Sequence, residues 1–152
     1  MYYFLRVDFD ALESSIMTLR DRIRGIGQEM GDSCREGAET FHDNFTHEEG
    51  SRQLQMWSKR YSELMAIKGN ATIVIPQESN ERVAIGKKVR MRNTFNNDVT
   101  NLEVGSYMVL SENGSFSYGS PLIQIILGAK KGDLRVGTIG ELGVSFIIEE
   151  IS

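Results

Sequence analysis

Two apolar runs mirror one another about residue 40, and this symmetry restricts the first half of the chain more than any other feature. The first run is Phe9, Leu12, Ile16, Leu19, Ile23, Ile26 and Met30. The second is Leu54, Trp57, Tyr61, Leu64, Lys68 and Ala71, with one polar member. Both advance by threes and fours, which puts each set on one stripe of an α-helix. Two striped helices close in sequence, with no other apolar partner at hand, pack antiparallel. Pairing 9 with 71, 12 with 68, 16 with 64, 19 with 61, 23 with 57 and 26 with 54 gives a constant sum of 80. The chain therefore folds back at residue 40. From there to Phe9 the hairpin reaches roughly 45 Å at 1.5 Å per residue.

Local signals agree with this layout. Asp8 is placed to cap the first helix, with Val7 stapling against Leu12. The helix continues through Met30 without proline. The second resumes by Arg52 and stops at Gly69-Asn70. Trp57 and Tyr61 lie on its inner stripe and are expected in the core. Between the runs, large apolar residues thin out and acids gather: Glu29, Asp32, Glu36, Glu39, Asp43, Glu48 and Glu49, against Arg35. Such a cluster is ordinarily a solvated helix end. At the end of a long arm, however, like charges repel and cost stability, and a purely structural tip has no need of them.

After Ala71–Ile75, which reads as a short strand, the polar, proline-led stretch Pro76–Arg82 marks a boundary. The expected domains are 1–75 and 76–152. Beyond it the hydrophobic period becomes two. Val89 and Met91 alternate with Lys88, Arg90 and Arg92. Tyr107–Leu110 and Ser115–Tyr118 read as strands joined by the turn Glu112-Asn113-Gly114, with Phe116 and Tyr118 facing the core. Leu134–Val136 and Val144–Ile151 complete the set. Between Tyr118 and Leu134, Ser120 as N-cap, Pro121 at the first helical position and Gly128 as stop define a short helix. Leu122, Ile125 and Ile126 are its expected buried face. The fold class is α+β: an antiparallel helical hairpin, then a small antiparallel sheet with one short helix.

Totals narrow the function. A formal net charge of −4 argues against a protein that grips bare nucleic acid through a basic face. Cys34 is the single cysteine, so no intramolecular disulfide forms and a reducing compartment fits. No apolar run is long enough to span a membrane, and the first residues lack the pattern of a signal peptide. The expected location is cytoplasmic and the expected state a monomer. His42 and His47 come without a cysteine set and do not read as a zinc site.

The sequence "SPLIQIILGAKKGD", from Ser120 to Asp133, following a heptad hairpin that ends in Asn70-Ala71, resembles the Gre family of transcript-cleavage factors of bacterial RNA polymerase. The resemblance covers nearly the whole chain. It implies an FK506-binding-protein-like C-terminal fold without isomerase activity. It also implies polymerase docking through Ser120, Pro121, Lys130 and Lys131. The hairpin tip would enter the polymerase secondary channel, near the 3′ end of the nascent RNA. There the family's tip carboxylates help hold a Mg2+ ion jointly with the polymerase, and hard Mg2+ suits carboxylate oxygen. The resemblance further implies that the polymerase carboxylates bind a first Mg2+ and that the two ions together stabilise phosphodiester hydrolysis.

The tip departs from the family pattern of Gly-Asp, two residues, then Glu-Asn-Ala-Glu. One register matches Gly31-Asp32 and Glu36-Gly-Ala-Glu39, with one residue too many between Asp32 and Glu36. The other, without gaps in the second helix, sets Asp43-Asn44 on the family's Glu-Asn and Thr40 on its Asp. The second agrees with the fold-back at residue 40. It makes Asp43 the catalytic and metal-holding acid, with Glu39 one helical turn before it as partner. His42 next to Asp43 is a loop histidine or an RNA contact. Loss of the family's Asp leaves open a non-cleaving relative that inhibits from the channel. A prolyl isomerase would instead need an aromatic-lined pocket in the sheet half, and a pure coiled-coil scaffold would not need an apolar-poor tip.

Overall fold

The computed structural model describes residues 1–35, 41–110 and 114–152; for residues 32–35 and 41–46 it describes the backbone alone. The elements in chain order are β1 (Tyr2–Phe4), α1 (Arg6–Arg35), α2 (Phe41–Gly69), β2 (Ala71–Ile73), β3 (Lys88–Asn93), β4 (Val99–Gly105), β5 (Ser115–Ser117), α3 (Pro121–Ile126), β6 (Leu134–Ile139) and β7 (Leu142–Ile151). The fold is α+β, with two long helices packed as a hairpin and a mixed sheet carrying one short helix.

The chain forms two compact units, Ala11–Asn70 and Met1–Asp10 with Ala71–Ser152. The expected linear division was 1–75 and 76–152. The first ten residues join the sheet unit because β1 and β2 pair in parallel, Tyr2 opposite Ala71 and Phe4 opposite Ile73.

In the hairpin unit the stripe of α1 is real. Leu12, Ile16, Leu19 and Ile26 are buried. The pairing arithmetic is visible in side chains. A Cβ added at Gly50 would meet the Met30 side chain, the Arg22 guanidinium lies 4.4 Å from the Trp57 ring centroid, and Lys68 is 3.9 Å from Glu13. These pairs sum to 80, 79 and 81. Two details differ from expectation. The helices run longer, to Arg35 and from Phe41. On α2 only Leu64 is buried among the described residues, while Trp57 and Tyr61 are half-buried. Trp57 is flanked by a cation rather than enclosed by aliphatic side chains.

In the sheet unit the strand order is β5-β4-β3-β7-β6. The sheet is mixed, not antiparallel throughout, because β5 runs parallel to β4. A second correction concerns Tyr107–Leu110, expected as a strand. The strand is Val99–Gly105 instead. Tyr107 leaves the ladder, donates its amide to the Tyr3 carbonyl at 2.9 Å, and stacks on Tyr2 with centroids 4.2 Å apart. Its aromatic mass serves the β1 side of the unit. The turn expected at Glu112-Asn113 lies outside the described residues. The core comprises Val83, Val89, Met91, Leu102, Val104, Ile123, Ile126, Ala129, Val144, Phe146, Ile148 and Ile151. On α3 the buried residues are Ile123 and Ile126, with Leu122 and Ile125 partly covered, so the buried face is turned from the one expected. Phe116, expected in the core, is 43% exposed.

The start of α1 also differs from expectation. Asp8 is not the cap but the third helical residue, and it is buried. Ser106 donates from Oγ to Asp8 Oδ2 at 2.5 Å and accepts from the Leu5 amide at 2.7 Å. A serine from the end of β4 thus supplies the acceptor that the helix start lacks. Val7 is 70% exposed and staples nothing.

Candidate functional site

The motif from Ser120 to Asp133 folds as two linked turns around α3. Ser120 has extended backbone and its Oγ accepts from the Ile123 amide at 3.4 Å, while Pro121 occupies the first turn, where a missing N–H costs nothing. Gln124 donates from its side chain to the Tyr118 carbonyl at 2.7 Å. Leu127 closes the helix by donating to the Ile123 carbonyl at 2.8 Å. Gly128 follows at φ +80, a conformation that side chains with a Cβ resist. Its amide donates to the Val83 carbonyl at 2.8 Å, and its carbonyl accepts from Arg82 at 3.1 Å.

Lys130 to Asp133 then form a closed turn. The Asp133 amide donates to the Lys130 carbonyl at 3.0 Å, and the Lys130 amide donates to Asp133 Oδ2 at 2.9 Å. Gly132 at φ +87 occupies the position that a type II turn reserves for glycine. The Asp is therefore the brace of its own loop. Lys130 and Lys131 are left exposed at the surface, in no ion pair among the described residues. Ser120 and Pro121 thus stand at the start of α3, and Lys130 and Lys131 in the turn that follows Gly128. Pro121 is exposed and Ser120 half-buried.

Beside this segment runs an apolar groove of about 490 Å³, which the sequence reading missed. It is lined by Tyr3, Val74, Ile75, Gln77, Arg82–Ile85, Leu127 and Gly128. Ile75, on its rim, is 88% exposed. A hint was present, since Val74 and Ile75 continue an apolar run past the end of β2. One wall is held by Lys87, which is buried and donates to the Gln77 carbonyl and to Asn80 Oδ1 at 2.7 Å. Tyr3 is the one aromatic residue in the lining, so this groove is not the aromatic-lined pocket that the isomerase reading requires.

At the hairpin tip, Glu39 lies outside the described residues. Asp43 falls in the first turn of α2, and its side chain is likewise outside them. Carboxylate donors in the first turn of a helix are electrostatically favoured, and they are the donor type that Mg2+ takes. Among the described residues there is no group of three or more metal-ligating side chains.

The fold and these sites describe an α+β protein of helical hairpin and mixed sheet. No protein-family model matches the sequence, and no curated protein matches it. Among solved structures, the chain is similar to the GreA factor homolog 1 (Gfh1) protein of Thermus thermophilus, at 18% identity and a TM-score of 0.45, covering 99% of this chain and 97% of that one. It is similar to Gfh1 of Thermus aquaticus at 16% identity and a TM-score of 0.44, covering 98% and 96%. It is also similar to the transcription elongation factor GreA/GreB of Nitrosomonas europaea, at 17% identity and a TM-score of 0.41, covering 100% and 99%.

Proposed function

We propose that this protein is a transcription factor of Gre type, which binds RNA polymerase and acts through the secondary channel on backtracked RNA. The observation that carries the reading is the Ser120–Asp133 segment. Its serine cap, helix-starting proline and two glycine turns are among the residues by which the sequence resembles the Gre family, and the turn braced by Asp133 leaves Lys130 and Lys131 exposed. In this reading the sheet unit docks on the polymerase. The hairpin tip presents Asp43, with Glu39 as the weaker partner acid, to the polymerase active centre. The protein is then not an enzyme by itself but a cofactor of RNA cleavage by the polymerase. A Mg2+ ion held jointly with the polymerase would supply the Lewis acidity for phosphodiester hydrolysis. The chain's own part is to hold carboxylate oxygens there and to orient water.

A second reading, a non-cleaving inhibitor of the same channel, rests on the register that folds back at residue 40, in which Thr40 stands where the family has its tip Asp.

Polymerase carrying backtracked, end-labelled RNA separates the two. In the first reading the protein shortens the transcript, and Asp43→Asn removes most of that activity without weakening binding. Raised Mg2+ partly restores it. In the second, no shortening occurs and Asp43→Asn relieves inhibition. Activity lost in Asp32→Asn but not in Asp43→Asn would move the functional acid to the earlier register. Docking is tested separately. Pro121→Ala together with Lys130→Glu should weaken polymerase binding at least tenfold with the circular dichroism unchanged. Undiminished binding would remove the Ser120–Asp133 segment from the interface.

A further inference from the structure

The two edges of the mixed sheet differ in chemistry. β5 is three residues long, whereas β6 at the other side has six, and among the described residues β6 pairs with β7 alone. The peptide groups of β6 sort by alternation. The Ile148 amide donates to the Asp133 carbonyl at 3.0 Å, so Arg135, Gly137 and Ile139, in step with Asp133, direct their N–H and C=O to β7. Leu134, Val136 and Thr138 direct theirs to the open side. The side chains of these same three residues stand on the face opposite the core, in register with Ile147, Ser145 and Gly143. Leu134 is 57% exposed and Val136 69%.

Proteins ordinarily blunt such an edge with a proline, a charge on the open face, a bulge or brevity. One bulge precedes β6, where Gly132 and Asp133 both bond to Ile148. From Leu134 to Ile139 the strand has none of these devices: its one charge, Arg135, is on the other face, and its ladder to β7 is regular. The flanking turns carry opposite signs: exposed Lys130 and Lys131 come before the strand, and exposed Glu141 after it.

We infer that β6 pairs antiparallel with β6 of a second copy, about a two-fold axis through Val136. Paired residues then sum to 272, with 136 opposite 136 and 134 opposite 138. Two features agree on this register, and a third agrees on the antiparallel direction. All the free peptide groups meet as hydrogen-bonding pairs. Leu134, Val136 and Thr138 of both copies remain on one face, which a slip of one residue would undo. The antiparallel direction brings the lysine end of each strand toward the Glu141 end of the other, so the signs of the flanking turns are complementary. The contact is isologous and closes at two copies. A ladder of this length is smaller than a standard interface, so the dimer is weak and forms with rising concentration. Lys131 is also one of the lysines assigned above to polymerase docking. Where that reading holds, the dimer withholds it from the polymerase.

Sedimentation velocity of the full chain, from about 10 μM to about 1 mM, measures the association with no polymerase present, so its outcome is separate from the docking reading. The wild type should shift from monomer to dimer across this range. Val136→Lys, which sets two ammonium groups against each other on the axis, should remain monomeric with unchanged circular dichroism. Glu141→Lys, in a surface turn, should weaken association several-fold, and adding Lys131→Glu to it should restore association. A wild type that stays monomeric throughout would overturn the inference and leave the edge to a strand of another protein. So would a dimer indifferent to Val136→Lys, or a double variant no better than Glu141→Lys alone.

Discussion

The hairpin and the sheet unit bury apolar residues in different ways. In the sheet unit a core cluster of twelve residues is closed on all sides, and Ile123, Ile126 and Ile148 have no exposed surface. In the hairpin, burial is one-sided. The α1 stripe is covered, whereas the α2 stripe, Leu64 apart, is half-open and finished with polar groups: Arg22 over Trp57 and Lys68 beside Glu13. A two-helix seam has one layer of contacts and cannot enclose a large ring. A sheet with a helix laid on it can. The comparison predicts that equal truncations cost less in the hairpin than in the sheet, and that its far end tolerates change best.

Ile148→Ala tests the closed core. It should destabilise the protein by about 2–5 kcal/mol in urea unfolding, the range for a buried large-to-small change. A loss under about 1 kcal/mol would mean that the core can collapse around the gap. Ser106→Ala removes one hydroxyl that serves two partners, the Leu5 amide and the Asp8 carboxylate. Its cost should be about 1–3 kcal/mol, since both partners lose a hydrogen bond in a partly buried setting. Pairing it with Asp8→Ala in a double-mutant cycle isolates the shared bond, and strict additivity would deny it.

Trp57→Ala should cost about 1–3 kcal/mol, below the range for an enclosed aromatic residue. Up to about 1 kcal/mol of that comes from Arg22 over the ring. A cost equal to that of Ile148→Ala would erase the distinction between the two units. Asp43→Asn should fall at the bottom of this stability scale, with no measurable change in unfolding, while having the largest effect in the transcript assay.

The hairpin was legible because its signal is local and periodic. A repeat of three and four needs only neighbours to state it, and the constant sum of 80 then fixed which residues face each other. What escaped was the degree of burial. Leu64 and Trp57 occupy equivalent steps of the stripe, yet one is enclosed and the other carries a guanidinium. The Ser120–Asp133 segment was readable for the same local reason: a serine cap, a proline and two glycines are instructions to the chain within a few residues. The groove beside it was not, because its walls come from Tyr3, Val74–Ile75, Arg82–Ile85 and Leu127, which are distant in sequence.

The sequence by itself determined the α+β class, the mirror pairing of the two helices, the cap and stop of α3, and strands within β6 and β7, though shorter than the Leu134–Ile139 and Leu142–Ile151 observed. Each of these rests on contacts between residues near in the chain or on a simple periodicity. Only the tertiary structure decided that β1 joins β2, that β5 lies parallel to β4, that Tyr107 leaves the ladder to stack on Tyr2, and that Ser106 completes the start of α1. Those choices depend on which distant backbone groups find partners and which faces remain uncovered. A tyrosine has the same strand propensity wherever it sits, so propensity alone could not distinguish a place in the ladder from a place beneath an N-terminal strand.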